Sequence, residues 1–184
     1  ELSWSGVTPL IPSYVERYGL SDFYGGLVLS IASLGILVVS LPAGWVTKSV
    51  SPRTLTLGSM VVISLAGAAM AVAPGYWWIV AARFIFGLGF GTLWVAMTAW
   101  LADAAGPYSA RVLALTTAIV GVGATLSPAY AGWVAQHYGL SAPFVGLAVI
   151  TAGLFLLPLL HRSGTGHRKE PAPPARELFR AVHA

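Results

Sequence analysis

The 184-residue chain contains no cysteine, which excludes a disulfide framework, thiol redox chemistry and any cysteine-ligated metal. Charge is scarce too. Asp, Glu, Lys and Arg make up 9% of residues and mean hydropathy is +0.78, whereas about a quarter of a soluble domain is charged. That balance excludes an ordinary soluble domain. No charged residue lies between Asp22 and Lys48; the later breaks are Lys48 and Arg53, then Arg83, then Asp103 and Arg111, then none until Arg162. Each uncharged stretch has room for a membrane-crossing helix, since a bilayer core of ~30 Å takes about 20 apolar residues. In lipid only helices and closed barrels satisfy every backbone polar group, and these runs are far too long for barrel strands. The expected fold is therefore an all-α integral membrane protein, a polytopic helical bundle whose first partner is the lipid bilayer.

Other absences narrow the function. The calculated pI is 9.7, yet the bases punctuate apolar runs instead of forming a phosphate-binding patch, which argues against nucleic acid. His137 and His161 fall at span ends and do not cluster with acids. No metal site, cofactor or Ser–His–acid set is visible, so no enzyme is expected. The chain begins at Glu1 with no charged region ahead of an apolar stretch. No signal peptide is visible, and the chain reads as starting inside a longer protein.

Residues 1–14 are apolar but broken by Pro9 and Pro12, too short to cross, and read as the partial outer end of a truncated first helix. Full spans are expected at about 24–47, 54–73, 77–101, 112–135 and 143–160, giving a transmembrane bundle over 1–160. Residues 161–184, with Pro171, Pro173, Pro174 and mixed charge, cannot bury a core and read as a linker or tail. Cytoplasmic loops are enriched in Lys and Arg. Lys48, Arg53, Arg111 and the tail bases Arg162, Arg168, Lys169, Arg176 and Arg180 share one side, against Arg17 alone on the other. The expectation is a multi-pass protein of the cell membrane with a cytoplasmic tail. Tyr-Gly-Leu-Ser at 18–21 and again at 138–141 then forms two outer turns. In each, glycine ends one helix, leucine covers that end and serine caps the next helix.

Arg83 is the one charge inside a span, an expensive placement unless it faces protein or water. Helical spacing puts Gly87, Phe90 and Trp94 within about 40° of it, on one stripe. Gly87, Gly89 and Gly91 allow close helix approach; they follow no strand and are not a dinucleotide fingerprint. Two readings of Arg83 are open: a tie to carbonyls of a neighbouring helix, or a role in substrate, ion or proton handling. The fifth span places Gly123, Ser127 and Ala131 at four-residue intervals, a small-residue face. Pro128 removes a backbone hydrogen bond within it. A packing seam and a gating bend are both open.

Together these residues resemble the major facilitator superfamily. Arg83-x-x-x-Gly87-x-Gly89 is similar to its fourth-helix motif. Gly123-x-x-x-Ser127-Pro128-x-x-Ala131-Gly132 resembles its fifth-helix antiporter motif, with Ser and Ala in place of two glycines. Ala102-Asp103 with Arg111 resembles the loop between helices four and five. Pro42-Ala43-Gly44 opens the counterpart of the signature loop between helices two and three. That loop departs from the pattern, with Lys48 at the usual acid and Ser51 at the second glycine; Arg53 keeps the basic end. The resemblance implies the N-terminal six-helix half of a secondary transporter, built of two inverted three-helix repeats, with the substrate path between this half and a C-terminal half of the same protein. No residue-level echo of the repeat is visible in this sequence.

The expected function is secondary active transport of a small solute by alternating access, tilted by the fifth-helix motif toward proton-coupled export of drug-like or small organic molecules. Arg83 is the transport or coupling candidate, and Phe90 and Trp94 are the cavity-face candidates. Gly87, Gly89, Gly123, Ser127, Pro128, Ala131 and Gly132 are the packing and gating candidates; Gly44, Arg53, Asp103 and Arg111 are the cytoplasmic loop candidates. Spans two to six carry no Asp or Glu, so a titrating acid is expected at Glu16, at Asp22, or outside this chain. The rival reading is a non-transporting scaffold or sensor module using the same bundle.

Overall fold

The computed structural model describes residues 8–47 and 49–160. The first seven residues, Lys48 and the expected tail 161–184 lie outside the described residues. A 3-10 turn at Thr8–Leu10 leads into α1 (Ile11–Tyr18). Helices α2 (Asp22–Val46), α3 (Pro52–Ala71) and α4 (Tyr76–Ala105) follow, then a short 3-10 turn, α5 (Ser109–Tyr138) and α6 (Ala142–Leu160). The protein is an all-α, multi-pass membrane protein. By length and apolarity α2, α3 and the helical run Tyr76–Tyr138 are each able to cross a bilayer; Ala142–Leu154 is a shorter apolar stretch.

The helix ends follow local chemistry. Pro12 falls in the first turn of α1, where its missing N–H is no loss, so helix continues to Tyr18 instead of stopping near residue 14. Gly19 ends α1 in the left-handed conformation (φ 59°, ψ 37°). There the Leu20 N–H donates to the Val15 carbonyl (2.9 Å) and the Gly19 N–H to that of Glu16 (3.2 Å), the two bonds of a Schellman closure. Ser21 occupies the N-cap of α2 but makes no side-chain capping bond, contrary to the expectation. Ser51 does cap: its hydroxyl accepts from the Thr54 N–H at 3.2 Å and Pro52 follows it. The second Tyr-Gly-Leu-Ser closes differently, with Gly139 at φ 90°, ψ 164° and one bond from its N–H to the Ala135 carbonyl, 3.0 Å.

Helix α4 is the hub, packed along α2 on one side and α3 on the other, while α6 lies on α3. Helices α2 and α4 run parallel. Moving down both, Tyr24 meets Tyr76, Val28 meets Arg83, and Gly35 and Val39 meet Gly87 and Gly91. Helix α3 runs antiparallel to α4, pairing Ala69 with Trp78 and Val62 with Gly89. Core residues Val28, Ala32, Ile63, Met70, Phe86 and Leu147 fill the space between them.

The α2–α4 crossing depends on missing side chains. A β-carbon on Gly35 would lie 2.6 Å from the Phe84 carbonyl oxygen, one on Gly91 2.6 Å from a Val39 methyl, and one on Gly87 would overlap the Ala32 carbonyl. A β-carbon on Gly89 would instead sit 3.0 Å from Val62 of α3. The glycine run thus serves two neighbours: Gly87 and Gly91 admit α2, and Gly89 admits α3. Small residues let helix backbones approach in lipid, where packing replaces the hydrophobic effect as the driving force.

One end of the bundle is aromatic. Tyr24 and Tyr76 meet edge to face at 5.5 Å, Trp77 lies 5.2 Å from Tyr76, and the Tyr76 hydroxyl donates to the Tyr24 carbonyl at 2.9 Å. The Trp78 indole N–H donates to the Ala69 carbonyl at 2.8 Å. Amphipathic rings of this kind sit at membrane–water interfaces. The opposite end, where α2 and α4 finish and α3 and α5 start, carries Arg53, Asp103 and Arg111.

Candidate functional site

Arg83 is 1% exposed, the largest fully buried side chain among the described residues. Its helix carries it about two turns in from the aromatic end, on the side facing α2. The guanidinium Nε–H points at the Val28 carbonyl oxygen at 3.5 Å, and the guanidinium carbon lies 5.3 Å from the centre of the Phe86 ring. Burial of a cation in an apolar bundle is tolerated when carbonyl dipoles and a ring face replace its hydration. The charge is therefore held inside protein and away from lipid. Phe86 in turn stacks on Phe90, with centroids 5.8 Å apart and planes 22° from parallel.

The stripe expected from helical spacing does not face one space. Gly87 is buried against Ala32 of α2, Phe90 is half-buried, and Trp94 is 37% exposed. The angular spacing is regular, but helices cross at an angle, so one face of α4 meets α2 near its middle and leaves it further on. Arg83 and Trp94 consequently have different surroundings.

Phe90 instead lines an open cavity of about 340 Å³ between α3, α4, α5 and α6, which Gly123 and Ala131 also line. Of the small face on α5, Ser127 is 0% and Ala131 3% exposed. Pro128 and Gly132 are half-buried, and a β-carbon on Gly132 would come 3.9 Å from Pro9 in the N-terminal turn. Helix α5 also receives the Thr8–Leu10 turn, whose Leu10 is buried in the core. Helix α5 runs unbroken through Pro128. At the charged end, Arg53 and Gly44 are half-buried, and a β-carbon on Gly44 would meet nothing within 4 Å. Asp103 and Arg111 are both exposed, on either side of the turn joining α4 to α5.

Sequence reasoning singled out Arg83 through its cost in lipid. It missed the partners Val28 and Phe86, and it missed Gly35, the α2 glycine that meets α4. A small residue at Gly35 facing the run 87–91 is a signal of the same kind, but pairing the two requires the crossing point.

The family model of the Major Facilitator Superfamily matches residues 1–183. Among similar proteins are the multi-drug resistance efflux pump PmrA homolog of Lactococcus lactis, 26% identical over 98% of this chain and 46% of that protein, and the multidrug resistance protein MdtG of Serratia proteamaculans, 29% identical over the same shares. The niacin transporter NiaP of Acinetobacter baylyi is 27% identical over 74% of this chain and 31% of its own length. The chain spans less than half the length of each of these relatives.

Proposed function

This chain belongs to the Major Facilitator Superfamily, and we propose that it works as one half of a secondary active transporter that moves a small organic solute by alternating access, in the export direction. The observation that supports this most is Arg83, a cation buried in the central helix and held to the carbonyl of a second helix. An intramembrane charge is costly to keep, and such charges mark substrate, ion or proton pathways. In this reading Arg83 contacts the solute or a coupling carboxylate when the half-bundle rocks, exchanging the Val28 carbonyl for that partner. The names of two relatives, both multidrug resistance proteins, support export; the niacin transporter supports a small organic solute as cargo.

Proton coupling is the second part of the proposal, and it needs an acid beyond the buried core. Glu16 and Asp22 are both exposed at the aromatic end, and a second half of the protein is the other source. Asp103, Arg111, Arg53 and Gly44 lie at the end that we assign to the cytoplasm of a multi-pass cell-membrane protein, by the excess of Lys and Arg there. Pro128 takes the role of a hinge in α5, because its missing N–H leaves the helix easier to bend.

Cells producing the full-length protein are expected to accumulate less ethidium than cells without it. Pro128→Ala should slow the efflux by about threefold, the equivalent of ~0.7 kcal/mol in barrier height, at unchanged membrane abundance. Equal ethidium levels with and without the protein, repeated over a panel of drug-like cations and aromatic acids, would count against export. An unaltered efflux rate in Pro128→Ala would reduce Pro128 to a packing role.

A further inference from the structure

Arg83 reaches across to α2 for a carbonyl, but another of its partners travels on its own helix. The guanidinium carbon lies over the Phe86 ring, 5.3 Å from its centre, within the ~6 Å at which a ring face attracts a cation. Both side chains are sealed, Phe86 at 0% and Arg83 at 1% exposed, without help from any residue outside those described. Further chain can only add to that burial.

These two partners differ in kind. The Val28 carbonyl is a directional acceptor on a different helix, met at 3.5 Å, which is long for a hydrogen bond. As a helix carbonyl it also serves the hydrogen-bond ladder of α2. The ring face is broad, and it shares α4 with the arginine. When Arg83 gives up the Val28 carbonyl for a solute or a coupling carboxylate, Phe86 moves with it. A ring that stays under the charge lowers the cost of that exchange, because the cation is never stripped of both partners at once.

Phe90 backs the ring. Phe86 lies between Arg83 and Phe90 along α4, three residues from one and four from the other, spacings that bring side chains together on a helix. The two rings stack 5.8 Å apart with planes 22° from parallel, an arrangement that fixes the tilt of the Phe86 face.

We propose that Phe86 is a positioning residue for Arg83, holding the guanidinium by its ring face while the arginine trades the Val28 carbonyl for its transport partner. This rests on the transport role given to Arg83 above, and adds what lets a buried cation change partners.

The test replaces Phe86 in the full-length protein with phenylalanine carrying one, two or three ring fluorines, introduced by stop-codon suppression. Fluorines drain negative charge from the ring face and barely alter its volume. Efflux of ethidium, or of the panel solute that the native protein moves fastest, should fall about twofold with each fluorine at unchanged membrane abundance. Three fluorines then cost roughly tenfold, the equivalent of ~1.4 kcal/mol. The thermal midpoint of the purified protein should step down alongside. In an Arg83→Met background both series should be flat, since no cation is left to feel the ring. A rate that ignores the fluorines while Arg83→Met is slow would overturn the proposal and leave the transport role of Arg83 standing. Stepped midpoints beside that flat rate would reduce the ring to a structural contact. A fluorine series equally steep in Arg83→Met would overturn the proposal as well. No efflux of any panel solute, or full-rate efflux in Arg83→Met, would remove the transport role itself and this one with it.

Discussion

Arg83→Ala in the full-length protein is expected to reach the membrane at normal abundance and to transport about 10- to 100-fold more slowly. The size follows from the ~1.5–3 kcal/mol that a hydrogen bond to a charged group contributes, with each ~1.4 kcal/mol worth tenfold in rate. Abundance should hold because the substitution removes a cation that costs energy to place among apolar helices, and the α2–α4 glycine contacts lie elsewhere. Arg83→Lys should recover only part of the rate, since a compact ammonium lacks the fork of donors that a guanidinium offers. Initial transport rates normalised to folded protein check both variants. Normal transport in Arg83→Ala would leave the residue as a tie between α4 and α2 and nothing more.

Gly87→Leu is expected to do the opposite, removing folded protein before transport becomes a question. A β-carbon there would overlap the Ala32 carbonyl, and Ala32 is 0% exposed. The obstacle is backbone, so relief requires moving α2 off α4, along their largest shared face. Overpacking a core costs ~1–3 kcal/mol when side chains adjust; here the loss should exceed about 3 kcal/mol. Gly58→Leu and Gly121→Leu are the controls, since a β-carbon at either meets nothing within 4 Å. Both should be neutral or stabilising by ~0.5–1 kcal/mol through helix propensity alone. The measurement is the thermal midpoint and monodisperse yield of the purified variants. A stable Gly87→Leu would show that the close crossing is not needed.

The contrast between these two sites shows what the sequence holds and what it does not. The helical membrane fold was legible because lipid imposes it: runs without charge have one solution, and the fourth- and fifth-helix motifs placed the chain in its family. Arg83 stood out for the same reason, by cost. Its direction was not legible. Spacing put Arg83, Gly87, Phe90 and Trp94 on one side of a helix, but the neighbours that side meets depend on where α2 crosses. The glycine run shows this most plainly. Gly87, Gly89 and Gly91 look alike in sequence, yet two serve α2 and one serves α3. The two Tyr-Gly-Leu-Ser segments likewise share four residues and close differently, because the conformation of a turn depends on the helices that it joins. Ser21 sits at a cap position without capping, while Ser51, in a segment valued for its loop charges, makes the capping bond.

In the proposed transport, this half-bundle together with its other half moves a small organic solute by alternating access with Arg83 in the path. Solute counterflow in proteoliposomes of the full-length protein tests it most directly, because exchange of labelled for unlabelled solute requires a binding site that opens to each side in turn. Vesicles preloaded with unlabelled ethidium, or with a small aromatic acid such as nicotinate, should draw in the labelled form to a transient overshoot. The overshoot should vanish in Arg83→Ala. Folded protein that gives no overshoot with any solute of the panel, or an overshoot that Arg83→Ala leaves intact, would contradict alternating access through Arg83.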